Sequence, residues 1–166
     1  MRTQKKGLLI LDANTLIDYC NSDRMVIRLI SDIVGKVHVA MPVFDEVKGI
    51  DEAACSELGI QLVEPSIEHV VEASKKIGPL SFQDKLCYIL AKENGWTCVT
   101  NDKPLRKHCE INGVDIVWGI ELICILTESG GLSSEEAKEI IILMQSNNPK
   151  YITTTTVNNA FKRLNL

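Results

Sequence analysis

A short apolar run that ends abruptly in a carboxylate constrains the fold of this chain more than any other feature. The run Leu8–Leu11 is four consecutive apolar residues, Asp12 follows directly, and the polar turn 13–15 leads into a helical pattern. An unbroken apolar run of this length is typical of a strand that is buried on both faces. We therefore expect a central parallel strand with Asp12 at its carboxyl end, where open α/β sheets place their functional residues.

Four further strand patterns alternate with helical patterns along the chain. The predicted strands are 37–40, 60–63, 97–100 and 115–117. Helices are predicted at 14–20, 23–34, 42–49, 51–58, 65–77, 81–94, 103–112, 119–128 and 133–145, and in a last amphipathic segment around 157–164. Strands that alternate with helices imply right-handed crossovers and a parallel sheet covered on both faces. The sequence thus predicts an α/β fold with a central five-stranded parallel sheet.

The length and composition are those of one ordinary globular domain. The chain has 166 residues, of which 45% are hydrophobic and 24% are charged, which is enough to bury a sizeable core. Its formal net charge of −4 argues against a protein that bulk electrostatics holds to nucleic acid, since such proteins usually have a basic excess. A nuclease stays compatible with this charge because bound metal ions would offset acidic groups locally.

The six cysteines predict a reduced, cytoplasmic protein. They are scattered through apolar patterns, with no C-x-x-C pair and no histidine spacing suited to zinc. Cysteines in such patterns behave as small hydrophobic residues, and unpaired thiols are typical of the cytosol. The apolar run that follows the basic amino terminus is too short for a signal peptide. No stretch approaches the ~20 apolar residues of a membrane span, so no membrane contact is expected.

Four acidic residues are candidates for one site at the carboxyl edge of the sheet. Asp12 and Asp102 each follow directly after a predicted strand, Asp84 takes a partly inward position on a helix, and Glu46 follows the second strand. Asp45 stays open as an alternative to Glu46. Converging carboxylates repel one another by on the order of 4 kcal/mol per pair ~4 Å apart at an effective dielectric near 20. A hard divalent cation, Mg²⁺ or Mn²⁺, would neutralise them.

Each acid also has a purely structural interpretation. Asp12 and Asp102 are well placed to cap the helices that follow them, and Ser81-x-x-Asp84 has the pattern of a capping box. Glu46 and Asp45 are compatible with a solvated surface. The joint placement of the acids at one sheet edge favours a functional site over these separate interpretations.

Three segments, LLILDANTLID, PVFDEV and SFQDKLCYILAKENGWTCVTND, together resemble a known family. They are similar to the PIN domain (PilT N-terminus) nucleases, and in particular to the VapC-type ribonucleases, over roughly residues 7–125. The resemblance implies a three-layer α/β/α sandwich and a metal-dependent endoribonuclease. It makes Asp12, Glu46, Asp84 and Asp102 the acidic cluster, with Asp12, Asp84 and Asp102 as metal ligands. Polar groups that family members often place nearby match Asn14, Ser81, Thr100 and Asn101.

The resemblance also predicts a mechanism and partners. One or two Mg²⁺ or Mn²⁺ ions would activate a water for in-line attack on an RNA phosphodiester. Basic residues near the Asp102 edge are candidates for phosphate contact: Lys85, Lys103, Arg106 and Lys107. A homodimer and an antitoxin protein are expected partners if the chain is the toxin of a two-component pair. The nuclease domain is expected to span 1–128, and 129–166 to form a helical extension packed on it.

Other functions fit the sequence less well. Phosphatases of the haloacid dehalogenase class also begin with a strand that ends in Asp, but their chemistry needs a second Asp where this chain has Asn14. A nucleotide-binding Rossmann module needs a glycine-rich first turn, which D-A-N-T lacks. The main alternative is a PIN-like fold that binds protein or RNA and has little catalytic activity.

Overall fold

A computed structural model describes residues 7–76 and 78–166, and over these ranges the chain forms five strands and ten helices. The strands are β1 (Leu9–Leu11), β2 (Val37–Ala40), β3 (Ile60–Val63), β4 (Thr97–Val99) and β5 (Ile116–Val117). The helices are α1 (Ala13–Ser22), α2 (Met25–Ile33), α3 (Met41–Phe44), α4 (Glu52–Glu57), α5 (Ile67–Ser74), α6 (Phe82–Asn94), α7 (Lys103–Ile111), α8 (Gly119–Glu128), α9 (Ser134–Asn147) and α10 (Thr154–Arg163).

The strands form one parallel sheet with β1 at its centre. The order is β3-β2-β1-β4-β5, and every pair of neighbouring strands is parallel. Leu9 pairs with Val37 on one side and with Thr97 on the other. Helices cover the sheet on both faces, so the predicted three-layer α/β/α sandwich is confirmed. Because β1 and β4 are neighbours, the residues that follow them meet at the same edge.

The central strand is buried along its whole length, as its unbroken apolar sequence predicts. Leu9, Ile10 and Leu11 are 4%, 0% and 1% exposed. Helix α2 covers the sheet with its apolar stripe, and α8 is buried on most sides because α2, α9 and α10 all pack against it. Burial on both faces leaves β1 little room for polar groups before its carboxyl end, where Asp12 follows.

The helix predicted over 42–49 is too long. The helix expected over 42–49 ends at Phe44, because the chain continues as turns in which the Glu46 amide donates to the Val43 carbonyl at 3.2 Å. Gly49 then adopts a φ of +85°, a left-handed conformation that ends any helical path. Glu46 therefore lies in a turn. The helix predicted over 65–77 spans only Ile67–Ser74, and its predicted last residue, Ile77, lies outside the described residues. The remaining elements differ from prediction by one to three residues at their ends, where pairing frays.

The C-terminal helices pack on the rest of the chain. Helix α9 lies against α1 and α8, and α10 lies against α8 and α9. Two asparagine side chains tie this segment to α1: Asn147 donates to the Asn21 carbonyl at 3.0 Å, and Asn148 donates to both carboxylate oxygens of Asp18, at 3.0 and 3.3 Å. All six cysteines are described and none forms a disulfide. Within the described ranges, no helix is both long enough and apolar enough to cross a membrane.

Candidate active site at the carboxyl edge of the sheet

Asp12 is a buried carboxylate at the carboxyl end of β1. Its residue is 2% exposed, and its backbone amide donates to the Val99 carbonyl at 3.3 Å, which fixes it beside β4. Its Oδ1 accepts from the Thr15 amide at 2.8 Å, and its Oδ2 accepts from the Thr100 hydroxyl. Asp12 thus caps α1, as its structural interpretation predicts, and it also lies at the edge that the functional interpretation requires.

Burial makes the ionised form of Asp12 unfavourable. Loss of solvation raises the pKa of Asp12 from 3.8 to about 6, although hydrogen bonds from Thr100 and Thr15 oppose this rise. The negative charge of Asp84 raises the pKa further. No cation of the described residues forms an ion pair with Asp12. Asp12 is therefore a buried acid without a compensating positive charge, which is unusual outside functional sites.

Asp84 lies in the first turn of α6, beside the end of β1. The Cys87 thiol, one turn further along α6, donates to the Leu11 carbonyl at 3.8 Å, which places this part of α6 against β1. Asp84 also forms the predicted capping box, since its amide donates to the Ser81 hydroxyl at 3.1 Å and its Oδ2 accepts from the Ser81 amide at 3.4 Å. Burial first, and then the charge of Asp102, raise the pKa of Asp84.

Asp102 caps α7 and is tied to Asp12 through one hydroxyl group. Its Oδ2 accepts from the Leu105 amide at 3.3 Å. Its own amide donates at 2.9 Å to the Thr100 hydroxyl, which in turn donates to Asp12. The charge of Asp84 acts on Asp12, and the charge of Asp102 acts on Asp84. The structure thus links Asp12 to Asp102 through Thr100 and places Asp84 near enough for its charge to raise the pKa of Asp12.

Asn101 joins the edge to two helices. Its Oδ1 accepts from the Gly119 amide at the start of α8 at 3.0 Å, and its Nδ2 donates to Asp18 of α1 at 3.5 Å. The Tyr19 hydroxyl donates to the Gly119 carbonyl at 2.7 Å. A Cβ atom at position 119 would lie 2.8 Å from the Asn101 amide nitrogen, so only glycine allows this close approach. Asn101 fixes the position of α8 beside the acids.

Asp18 is a polar residue of this region that the sequence analysis missed. It is 4% exposed and accepts from Asn101 and from Asn148, which precedes α10. Burial raises its pKa, and the two amide donors partly oppose the rise. Its spacing in the sequence could have revealed Asp18 as a buried residue, because it lies on the same stripe of α1 as the buried Thr15 and Tyr19. An acid on an apolar stripe points to a buried partner.

Several predicted site residues lie apart from this cluster. Asn14, Asp45 and Glu46 are exposed, and within the described chain none of their side chains forms a hydrogen bond or ion pair. The choice between Asp45 and Glu46 as a second acid therefore stays a prediction. Lys85 donates to the Lys75 carbonyl, which commits its ammonium group to the connection between α5 and α6.

The basic residues of α7 divide into two groups. Lys103 and Lys107 are exposed and line a surface cavity of about 440 Å³ with residues 78–80 and 111. Arg106 instead stacks on Trp118, with its guanidinium carbon 3.5 Å from the indole ring centre. Burial lowers the pKa of Arg106, while the charges of Glu110 and Asp102 raise it. The charge of Asp102 thus links Arg106, a predicted substrate-binding residue, to the acidic edge.

The donor chemistry of the edge fits a hard divalent cation. Asp84 and Asp102 each use one carboxylate oxygen as a helix cap, and the described residues provide no hydrogen bond to the other. Together with buried Asp12 they offer the oxygen ligands that Mg²⁺ and Mn²⁺ prefer. No three His, Cys, Asp or Glu side chains of the described part are already gathered into a metal-coordinating group. Bound metal would therefore have to draw these carboxylates closer together.

Comparison with protein-family models, with curated proteins and with solved structures found no match to this chain.

Proposed function

We propose that this chain is a divalent-metal-dependent endoribonuclease of the PIN type, in which Asp12, Asp84 and Asp102 hold the metal. The observation that carries the proposal is the buried Asp12, whose pKa of about 6 reflects burial without a compensating cation and the nearby charge of Asp84. Glu46 is the candidate fourth acid. A metal ion would relieve the repulsion among the carboxylates and make their burial favourable.

Each residue of the edge has a task in this proposal. The metal would supply an activated water and stabilise the oxygen that leaves the phosphodiester. The Thr100 hydroxyl holds Asp12 and the Asp102 amide in fixed relation, and Asn101 keeps the start of α8 beside them. Arg106, Lys103 and Lys107 provide positive charge on α7 next to Asp102, where an RNA phosphate would otherwise meet only carboxylates.

The experiment that tests this proposal is cleavage of a mixed-sequence single-stranded RNA in Mn²⁺ or Mg²⁺. We expect Asp12→Asn, Asp84→Asn and Asp102→Asn each to lower the cleavage rate by more than ~100-fold, because even outer partners of metal ligands contribute about 10- to 100-fold. Asn caps helices about as well as Asp, so the Asp102 variant keeps its helix cap. Wild-type rates that persist in EDTA, or in all three variants, would refute the proposal.

A matched control separates loss of a ligand from loss of a capping box. Glu136 occupies the same third position of a capping box in α9, where its Oε2 accepts from the Ser133 amide at 2.8 Å. Glu136→Gln should therefore perturb helix α9 about as much as Asp84→Asn perturbs α6. It should leave the cleavage rate unchanged, since Glu136 is not among the acids of the edge.

A second function, a PIN-like binding module with little activity, is favoured by one observation. Asp12, Asp84 and Asp102 each serve in a helix cap, and no three His, Cys, Asp or Glu side chains of the described residues are gathered into a metal-coordinating group. This function predicts that the chain binds RNA or protein and that cleavage does not depend on the three acids. The cleavage assay above therefore decides between the two functions.

The resemblance also supports the proposals that the protein is cytoplasmic, forms a homodimer and is inhibited by an antitoxin protein. Helix α5 exposes Ile67 and Val71, one turn apart, at 79% and 57%, and exposed apolar pairs of this kind are typical of protein contacts. Sedimentation of the wild type and of Val71→Glu tests the dimer. A dimer that only the wild type forms supports it, and a monomeric wild type refutes it.

A further inference from the structure

A cleft lies between α8 and α10, beside the acidic edge. Its volume is about 440 Å³, within the range of small-molecule sites. Its lining combines Trp118 and the apolar side chains of Ile120 and Ala160 with the amide of Asn159 and three threonine hydroxyl groups. The ion pair of Glu121 with Arg163 also lines it. An indole ring and apolar side chains next to a few hydrogen-bonding groups suit a nucleobase, which has an apolar face and a polar edge.

Trp118 connects the cleft to the acids. It directly follows β5 and precedes Gly119, whose amide donates to Asn101 at 3.0 Å. Asn101 is next to Asp102 in the chain, so the cleft begins only a few residues from the carboxylates. A strand of RNA whose phosphate lies at the acidic edge would therefore pass Trp118 as it leaves.

Arg106 lies between the cleft and the acidic edge, and its side-chain nitrogens form no hydrogen bond with the described residues. Its guanidinium group stacks on Trp118, and its Nε is buried without a hydrogen-bond partner among the described residues. None of its other nitrogens is hydrogen-bonded within that part of the chain either. A buried donor without a partner is costly and calls for an explanation. A guanidinium held flat on an aromatic ring with free donors is well suited to a phosphate.

We propose that the α8–α10 cleft is a nucleotide subsite, in which Trp118 and Asn159 hold one base of a single-stranded RNA while Arg106 holds the phosphate between that base and the acidic edge. The inference rests on the proposed function for its substrate class. It gives the C-terminal segment a task, since Asn159 and the threonines come from α10 and its approach. Asn159 can donate and accept hydrogen bonds, so it selects among bases.

The test measures binding of short RNA in a protein that does not cleave it. With the full-length Asp12→Asn protein, we would titrate the hexaribonucleotides of A, C and U and follow tryptophan fluorescence. Trp96 stacks on His38, so Trp96→Phe in that background leaves Trp118 as the reporting fluorophore. We expect quenching of Trp118, and we expect Asn159→Ala to weaken the preferred hexamer by about 3- to 10-fold, the loss of one neutral hydrogen bond. The affinities of the three hexamers should also become more similar to one another.

Asn158→Ala is the matched control, because Asn158 is exposed on the same helix and does not line the cleft. It should leave all three affinities unchanged. The subsite proposal would be overturned if RNA did not quench Trp118 and if Asn159→Ala left the three affinities unchanged. If the wild type cleaves no RNA but Asn159→Ala still weakens the hexamer, the subsite stands and the nuclease proposal fails. If the wild type cleaves and Asn159→Ala changes nothing, the subsite alone fails.

Discussion

Asp12→Asn should stabilise the metal-free protein at neutral pH, because it removes a buried charge. Between pH 3.8 and about 6 the folded protein binds a proton at Asp12 more tightly than the unfolded chain does, so the stability of the wild type falls as pH rises. A rise in pKa from 3.8 to about 6 corresponds to at most about 3 kcal/mol, which is fully lost above pH ~7. Asn keeps the oxygen that accepts from Thr15.

Urea unfolding of wild type and variant in EDTA, repeated from pH 4 to pH 8, measures this difference. We expect the variant to gain stability relative to the wild type by up to about 3 kcal/mol across that interval, or roughly 6–12 °C in melting temperature for a chain of this size. Asp51→Asn, at the exposed cap of α4, is the matched control and should show no such gain. A variant that loses stability relative to the wild type as pH rises would refute the reasoning.

Two further predictions concern the residues that hold the edge together. Gly119→Ala should lower the free energy of unfolding by about 1–3 kcal/mol, because its Cβ would lie 2.8 Å from the buried Asn101 side chain; urea unfolding checks this, and an unchanged midpoint would contradict it. Asp18→Ala should cost about 1–3 kcal/mol by leaving the Asn101 and Asn148 amides without their acceptor. Because burial raises the pKa of Asp18, the stability that Asp18 contributes relative to alanine is greatest at low pH. A cost of Asp18→Ala that increases from pH 4 to pH 8 would contradict this assignment.

The fold was predictable because its signals are local and repeated. An apolar run such as Leu8–Leu11 can be buried on both faces only inside a sheet, and Ser81, Gly95 and Ser133 mark helix ends by their own conformational preferences. The helix predicted after Pro42 was too long because the residues that follow Pro42 are compatible with either helix or turn. There Gly49, with its positive φ, belongs to the turn and not to the end of a longer helix.

The site was predictable only where it depends on strand ends. Asp12 and Asp102 were placed together because parallel neighbouring strands end at one edge. The contact between Asp18 and Asn148 spans 130 positions, and the stacking of Arg106 on Trp118 joins two elements whose packing no local pattern encodes. Such contacts follow from the tertiary arrangement, so spacing along the chain could not reveal them.

Calorimetric titration of the metal-free protein with Mn²⁺ tests the central claim most directly, because it needs neither RNA nor catalysis. The account predicts that the wild type and Glu136→Gln bind Mn²⁺ with the same affinity, and that Asp12→Asn weakens binding by more than ~10-fold. A wild type that binds no Mn²⁺, or an Asp12→Asn protein that binds it as tightly as the wild type, would contradict the claim that these acids form a metal site.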